Sequence, residues 1–394
     1  MSDTRKHTKP NVPNLRFPGF SDDWEKKRIG DIGKFFSGGT PSSSRKDFYG
    51  GEIPFIRSGE IHSDSTELFL TQDGYNNSSA KMVEIGDILL ALYGANSGDI
   101  SISQMCGAIN QAILCIRTSV APVFFKSVWE KHTQKILNTY LQGGQGNLSA
   151  DIVKKITISI PSRPEQTKIA AFFSLLDERI TVQNKVIEKY ESLIKALCHH
   201  LFSVGRNDVK RISDLGEYFS TMNLSKKDLS FSGEDCILYG ELFTTYGRVI
   251  TEIKSRTKAT DGAVRSHNND LLFPASTTVD ALSLISPAAI TKEGVILGGD
   301  MFGIRIQPNL DNRYFSYLLY YCYREKFAGY AQGSTIIHLH YNDIKNIEIR
   351  IHDYATQKRI AQLLSILETM KANQEKALSY YSIQKAFLLK ELFI

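Results

Sequence analysis

Residues Gln166–Phe202 (QTKIAAFFSLLDERITVQNKVIEKYESLIKALCHHLF) and Gln357–Phe393 (QKRIAQLLSILETMKANQEKALSYYSIQKAFLLKELF) are two copies of one pattern, aligned without a gap at an offset of 191 positions. In the first copy Ile169, Phe173, Leu176, Ile180, Gln183, Ile187, Tyr190, Ile194, Leu197 and Leu201 fall at alternating steps of four and three. That 3.5-residue repeat marks the seam of a coiled coil. The second copy sets Ile360, Leu364, Leu367, Lys371, Gln374, Leu378, Tyr381, Lys385, Leu388 and Leu392 at the same positions. Lys371 and Lys385 interrupt its stripe, with Met370 and Phe387 beside them to compensate. Gln183 and Gln374 occupy equivalent mid-seam positions, where a polar side chain fixes register at some cost in stability. Neither helix can leave such a stripe in water, and the chain supplies one partner of matching length. The expectation is an antiparallel two-helix coiled coil on the order of 50 Å long at about 1.5 Å per residue, with a pseudo-two-fold axis and a globular unit at each end.

The repeat extends beyond the helices. KRIGDIGKFFSGG (Lys27–Gly39) matches KRISDLGEYFSTM (Lys210–Met222), IRSGEI (Ile56–Ile61) loosely matches LYGELF (Leu238–Phe243), and GDILLA (Gly86–Ala91) matches NDLLFP (Asn269–Pro274). Within each unit short alternating runs predict strands. In the first unit these are Ile88–Tyr93, Ile100–Ser103 and Ala112–Arg117; in the second, Leu271–Phe273, Leu282–Ile285 and Met301–Ile306. An amphipathic helix follows in each, Pro122–Leu141 and Asn312–Ala331, with Gln-Gly just beyond as a stop signal. Period-two strands through Ile156, Ile158, Ile160 and through Ile347, Ile349, Ile351 lead into the long helices. The aromatic run Tyr314–Tyr323 has helical spacing and reads as core or protein interface. The fold class is α+β, built from two tandem α/β units and the long helix pair.

With 394 residues, 42% hydrophobic and 23% charged, the chain has the composition of a globular protein of two domains. No apolar run approaches the ~20 residues of a membrane span, and MSDTRKHTKPNVPNL is too polar for a signal peptide. Five scattered cysteines without a CxxC pair point to reduced thiols and a cytoplasmic location. A net charge of +5 permits a polyanionic partner without demanding one. The phosphate-loop, HExxH, GxSxG and GxGxxG motifs are absent, as are the Pro-Pro-aromatic segments with which amino-methyltransferases hold a base. His338 and His340 form an HxH and His199-His200 a pair, but no acidic or cysteine ligand stands at a supporting spacing, so the expectation is no metal and no catalytic residue.

LRFPGFSDDWEKKRIGDIG (Leu15–Gly33), GGTPS (Gly38–Ser42), GGQGNLSADIVKKITISIPSRPEQTKIAAFFSLLDE (Gly143–Glu178) and the second QKRIAQLLSILE (Gln357–Glu368) resemble the specificity subunit of type I restriction–modification enzymes over nearly the whole chain. The second copy departs from the motif by lacking its proline and glutamate. The resemblance implies target-recognition domains at residues 15–160 and 205–351, spacer helices at 161–204 and 352–394, and a flexible arm at 1–14. It implies a non-catalytic subunit that reads a bipartite, asymmetric double-stranded DNA target. Two methyltransferase subunits would bring S-adenosylmethionine and methylate adenine, and endonuclease subunits would use ATP and Mg. A structural coiled-coil adaptor and a self-sufficient DNA-modifying enzyme are the alternatives.

Readout of a duplex needs hydrogen-bonding side chains at base edges and cations on phosphates. Polar loops that differ between the copies supply the candidates. In the first unit they are Thr40, Ser43, Arg45 and Lys46; Tyr93, Asn96 and Ser97; Gln111; Gln145 and Asn147. In the second they are Arg248, Arg256 and Lys258; Thr277 and Thr278; Ser334, Thr335 and His338. Lys26-Lys27-Arg28 and Lys154-Lys155 read as solvated faces. If the helix pair acts as a ruler, inserting or deleting one heptad within Lys185–Leu197 changes the spacing between the two recognised half-sites and leaves their sequences intact. Methylation mapping that finds altered half-sites at unaltered spacing removes the ruler.

Overall fold

A computed structural model describes residues 11–141, 147–205 and 208–394. The chain divides into two compact units, Met1–Val182 with Ala377–Ile394, and Gln183–Lys376. The two long helices, Arg163–Leu201 and Tyr354–Leu392, each give one part to each unit.

In the first unit, strands Gly33–Ser37, Ile113–Thr118, Ile88–Ala91 and Ile100–Ile102 form an antiparallel sheet in that order. A second sheet runs Phe69–Leu70, Tyr49–Ile56, Gly107–Ile109, Lys81–Val83. Its parallel pair is Tyr49–Ile56 with Gly107–Ile109. Helix Pro122–Leu141 covers a core of Ile88, Leu90, Leu114, Ile116, Phe124, Phe125 and Trp129. The ends of both long helices complete that core, since Phe393 lies 5.4 Å from Phe124 and 5.5 Å from Phe173 between ring centroids. Of the arm, Asn11 and Asn14 are tied down: Trp24 N donates to Asn11 O at 2.9 Å, and Asn14 Nδ2 to Glu391 at 3.0 Å.

The second unit repeats the plan. Gly216–Ser220, Met301–Ile306, Asp270–Pro274, Ala288–Ile290 and Val249–Ile250 form a five-stranded sheet, and Ser255–Thr257, Leu229–Leu238 and Ile296–Gly298 a three-stranded one. The aromatic run is core, with Tyr314, Phe315 and Tyr317 fully buried. Two elements differ from expectation. Leu282–Ile285 is not a strand; Asp280 caps a short helix, Ala281–Leu284, through Ser283 N at 2.8 Å. The helix expected over Asn312–Ala331 ends at Cys322 and restarts as Arg324–Ala328.

Equivalent strands lead into the long helices in the same register, Lys27 opposite Ile158 and Lys210 opposite Ile349. The glutamine that opens each helix motif makes one clip twice. Gln166 accepts from Ala121 N at 3.1 Å and donates to Pro161 O at 2.9 Å; Gln357 accepts from Asp311 N at 3.1 Å and donates to His352 O at 2.8 Å. Both are buried and satisfy the backbone where the preceding helix begins. The missing glutamate of the second motif also has a cause. Glu165, 1% exposed, is held by both Nε and Nη2 of Arg16 at 2.7 Å. Arg16 belongs to the LRFPGF segment, which occurs once. Thr356 stands at that place in the second copy and bonds instead to Asp353.

Every seam position is buried or half-buried, and the contacts run in opposite directions along the two helices. In the second unit Gln183 Nε2 donates to Gln374 Oε1 at 2.7 Å, and Lys371 reaches Glu191 at 2.7 Å. In the first unit Arg179 lies 5.0 Å over the Tyr381 ring. Met370 and Phe387 do not compensate for the seam lysines, being 43% and 55% exposed. Carboxylates do. Lys385 lies 2.9 Å from Asp177 and 2.8 Å from Glu130, while Lys126 lies 2.6 Å and 3.0 Å from the same pair. Burial opposes the charge on Asp177, but the two lysines outweigh it and hold the carboxyl below its ordinary range.

Asp177→Asn should lower stability at neutral pH by about 2 kcal/mol, below the ~3–5 kcal/mol for breaking a fully buried pair. Because the folded pKa is depressed, this contribution is complete above the unfolded value of about 3.9 and is lost as pH falls through the lower folded value. Urea unfolding of both proteins from neutral to acid pH measures it; a difference that does not shrink in acid means that the charge ring is not its source.

Candidate nucleic-acid interface

At the strand ends opposite Tyr93–Ser97 and Ser276–Thr278 a three-residue arrangement occurs once in each unit. Arg117 clasps Asp87 through Nε at 2.9 Å and Nη2 at 2.7 Å, and its guanidinium lies 5.3 Å over Phe36. Arg305 approaches Asp270 through Nε at 3.1 Å and lies 5.1 Å over Phe219. Each aspartate also accepts the backbone N–H three residues before it at 2.8 Å, from Glu84 and from His267. In each unit these three residues tie together three adjacent strands of the sheet, the edge strand included, and the turn that enters the third. The repeat aligns GDILLA with NDLLFP and KFF with EYF, and the aligned aspartate and phenylalanine of each copy share one guanidinium that lies outside the matched stretches.

In the first unit Gly38 and Gly39 carry the chain tightly past its neighbours. A Cβ would lie 1.8 Å from Ile109 O at Gly38 and 1.9 Å from Ser79 Oγ at Gly39. This approach sets the Thr40 hydroxyl in a hydrogen bond with Gln111. Ser43, Arg45 and Lys46 follow and are exposed. Arg45 is already matched by Asp47, with Nε to Oδ1 at 2.8 Å, and lies 4.2 Å over Phe48. A second group gathers around Leu92, whose carbonyl accepts from Ser97 Oγ at 3.0 Å and Leu148 N at 2.8 Å. This brings Asn147 beside Tyr93, Asn96 and Ser97. Asn96 and Asn147 are exposed, and burial raises the Tyr93 phenol pKa. Gln145 lies outside the described residues.

In the second unit Ser276–Thr277 pairs with Ile337–His338. That pairing brings Thr277 and Thr278 to the turn bearing Ser334 and Thr335. The turn is closed by Gln332 and His338, which exchange backbone hydrogen bonds of 2.9 and 2.7 Å. Thr278, Ser334 and Thr335 are exposed, whereas Thr277 is 9% exposed and its hydroxyl accepts from Val279 N. His338 stacks on His340 with centroids 5.9 Å apart. Among the described residues no group of three His, Cys, Asp or Glu side chains is placed to hold a metal ion.

Arg248 is a correction. Its guanidinium is buried at 7% exposure, donates to Pro287 O at 2.6 Å and Ser286 Oγ at 2.8 Å, and lies 4.3 Å over Tyr320. The stretch read as one polar loop, Thr245–Lys258, contains two strands, Val249–Ile250 and Ser255–Thr257. Arg248 is drawn into the sheet with the first of them. Arg256 is exposed and lies 3.3 Å from Asp235, and Lys258 is exposed.

The sequence matches the type I restriction–modification DNA specificity domain twice, over residues 21–192 and 206–379, and the chain belongs to that family. The MjaIX specificity subunit of Methanocaldococcus jannaschii is 23% identical over 94% of this chain and 93% of its own length. The HindI specificity subunit of Haemophilus influenzae is 27% identical over 43% of this chain and 40% of its own. In fold, the crystal structure of a type I S subunit from M. genitalium superposes with a TM-score of 0.68, at 15% identity, over 97% of this chain and 99% of that one. The protein is therefore a specificity subunit of a type I restriction–modification system, with two DNA specificity domains in tandem. No described helix is long and apolar enough to cross a membrane.

Lys46→Ala and Lys258→Ala should each reduce the slope of log affinity for DNA against log salt by about 1, as loss of one phosphate contact does. Arg248→Ala should leave that slope unchanged and instead lower the unfolding midpoint, since it strips partners from buried Pro287 O and Ser286 Oγ. A salt titration of DNA binding by the three variants separates the two roles; a lower slope for Arg248→Ala restores it as a phosphate contact.

Proposed function

We propose that this chain reads a bipartite, asymmetric DNA sequence, one half with each unit, and presents it to partner subunits that carry out the chemistry. The observation that supports this most directly is the internal repeat with divergent loops. The Asp–Arg–Phe arrangement and the glutamine clip occur in both units, whereas the loops differ: Thr40 stands where the second copy has Asn223, and the loop that bears Asn147 is matched by the Ser334–His338 turn. Two frames of one design carrying different hydrogen-bonding groups suit two different half-sites. On this reading residues 15–160 and 205–351 are the target-recognition domains, and 161–204 and 352–394 the spacer helices.

The candidate readers are Thr40, Ser43, Gln111, Tyr93, Asn96, Ser97, Gln145 and Asn147 in the first domain, and Thr278, Ser334, Thr335 and His338 in the second. Lys46, Arg45, Lys258 and Arg256 stand near phosphates. The two arginines must first loosen from Asp47 and Asp235. Two methyltransferase subunits would bring S-adenosylmethionine and methylate adenine in each half-site, and endonuclease subunits would use ATP and Mg in the cytoplasm. The chain itself holds no catalytic residue on this reading.

Single-molecule sequencing of host DNA tests it. An interrupted, asymmetric motif with methylated adenine in both halves should be present and should vanish on deletion of the gene. A methylome that the deletion does not change would end this reading.

A further inference from the structure

The strand Leu229–Leu238 contains a loop-out that its neighbour does not share. Leu229 and Glu234 both face Thr257, so Ser230, Phe231, Ser232 and Gly233 are expelled from the ladder as a four-residue finger. Gly233 closes the base of the finger at φ +124°, and a Cβ there would lie 2.2 Å from Thr257 O. The other side is pinned by Thr257 Oγ1, which donates to Asp228 O at 2.7 Å, and by Ser225, whose N–H and hydroxyl both meet Asp228 at 2.8 Å. A finger held this firmly at its base still leaves the Phe231 side chain fully exposed, at 108%.

The first unit has the equivalent finger without the aromatic tip. There Tyr49 and Ile53 both face Leu70 and expel Gly50, Gly51 and Glu52. Each finger follows a single 3-10 turn beginning at a lysine, Lys46–Phe48 and Lys226–Asp228. The apolar tip therefore belongs to one half only. The base of its finger carries three lysines. Lys226, Lys227 and Lys258 are exposed at the base of the finger. Of the nearby acids, Asp228 is engaged by Ser225, Asp235 by Lys292 and Arg256, and Glu234 by Arg265. An exposed phenyl ring on a finger whose base carries Lys226, Lys227 and Lys258, with Asp228 set against Lys227, suits a polyanion that offers flat apolar faces between its charges, as duplex DNA does.

Resting on the specificity-subunit reading, we infer that Phe231 is an apolar wedge that the second domain sets against the base pairs of its half-site. Lys226, Lys227 and Lys258 grip the flanking phosphates. A side chain of this kind partly unstacks one base step and bends the duplex there, so it reads deformability as well as base edges. Its discrimination would favour a pyrimidine–purine step at the contacted position.

The test uses the chain assembled with its methyltransferase subunits and a duplex bearing the mapped motif, with donor and acceptor dyes at its ends. Phe231→Ala should bind about tenfold more weakly, the scale of losing one aromatic contact to a base. It should leave the salt slope unchanged, abolish the wild-type rise in energy transfer on binding, and co-purify normally with the methyltransferase subunit. Phe231→Trp should restore both affinity and bending. Wild-type affinity and bending in Phe231→Ala would overturn the wedge alone. Loss of subunit assembly in Phe231→Ala would also overturn it, marking the ring as a protein contact. A wild-type complex that does not prefer the motif duplex would overturn the specificity-subunit reading and the wedge together.

Discussion

Two helical stripes that cannot remain in water govern this architecture. Each long helix carries apolar residues every three or four positions, and the chain satisfies both by folding the second antiparallel to the first. The pairing does more than hide leucines. Phe173, Leu392 and Phe393 form part of the first unit's core, and Ile194, Phe202, Ile360 and Leu364 part of the second's. Neither globular unit has a complete core without a segment of each helix.

Polar groups within that seam are matched rather than merely tolerated. Gln183 meets Gln374, and Lys385 shares two carboxylates with Lys126. Such contacts are costly to break and specify one alignment, which plain apolar contact does not do well. A slip of the helices by one turn would leave Lys385 without Asp177 and Glu130 and the glutamines without each other. Within each unit the register of the paired helix segments is thereby held by chemistry as well as by shape.

Much of this was legible in the sequence because periodicity survives without knowledge of tertiary contacts. The repeat, the seam positions and the strands through Ile158 and Ile349 follow from spacing alone, while spacing left Tyr314–Tyr323 as either core or protein interface. What escaped depended on partners far away in the chain. Arg248 looked like a solvated cation because its acceptors, Pro287 and Ser286, are nearly forty residues on. Leu282–Ile285 alternates like a strand, yet Asp280 supplies a helix cap that outweighs the pattern. Lys371 and Lys385 looked like defects in the second stripe because Glu191 and Asp177 lie on the other helix. Of the candidate readers, sequence could name polar loops. It could not tell that Thr40 would meet Gln111, or that Asn147 would come to rest beside Asn96, since those meetings are set by glycine packing and by the Leu92 carbonyl.

The Arg16–Glu165 pair gives the two halves different vulnerabilities. In the first, a buried carboxylate depends on one guanidinium delivered by the segment before the repeat begins. In the second, the corresponding threonine asks nothing of any distant residue. Two modules of common design have thus come to depend on different keystones, and damage confined to the leading segment would strike one of them while sparing its twin.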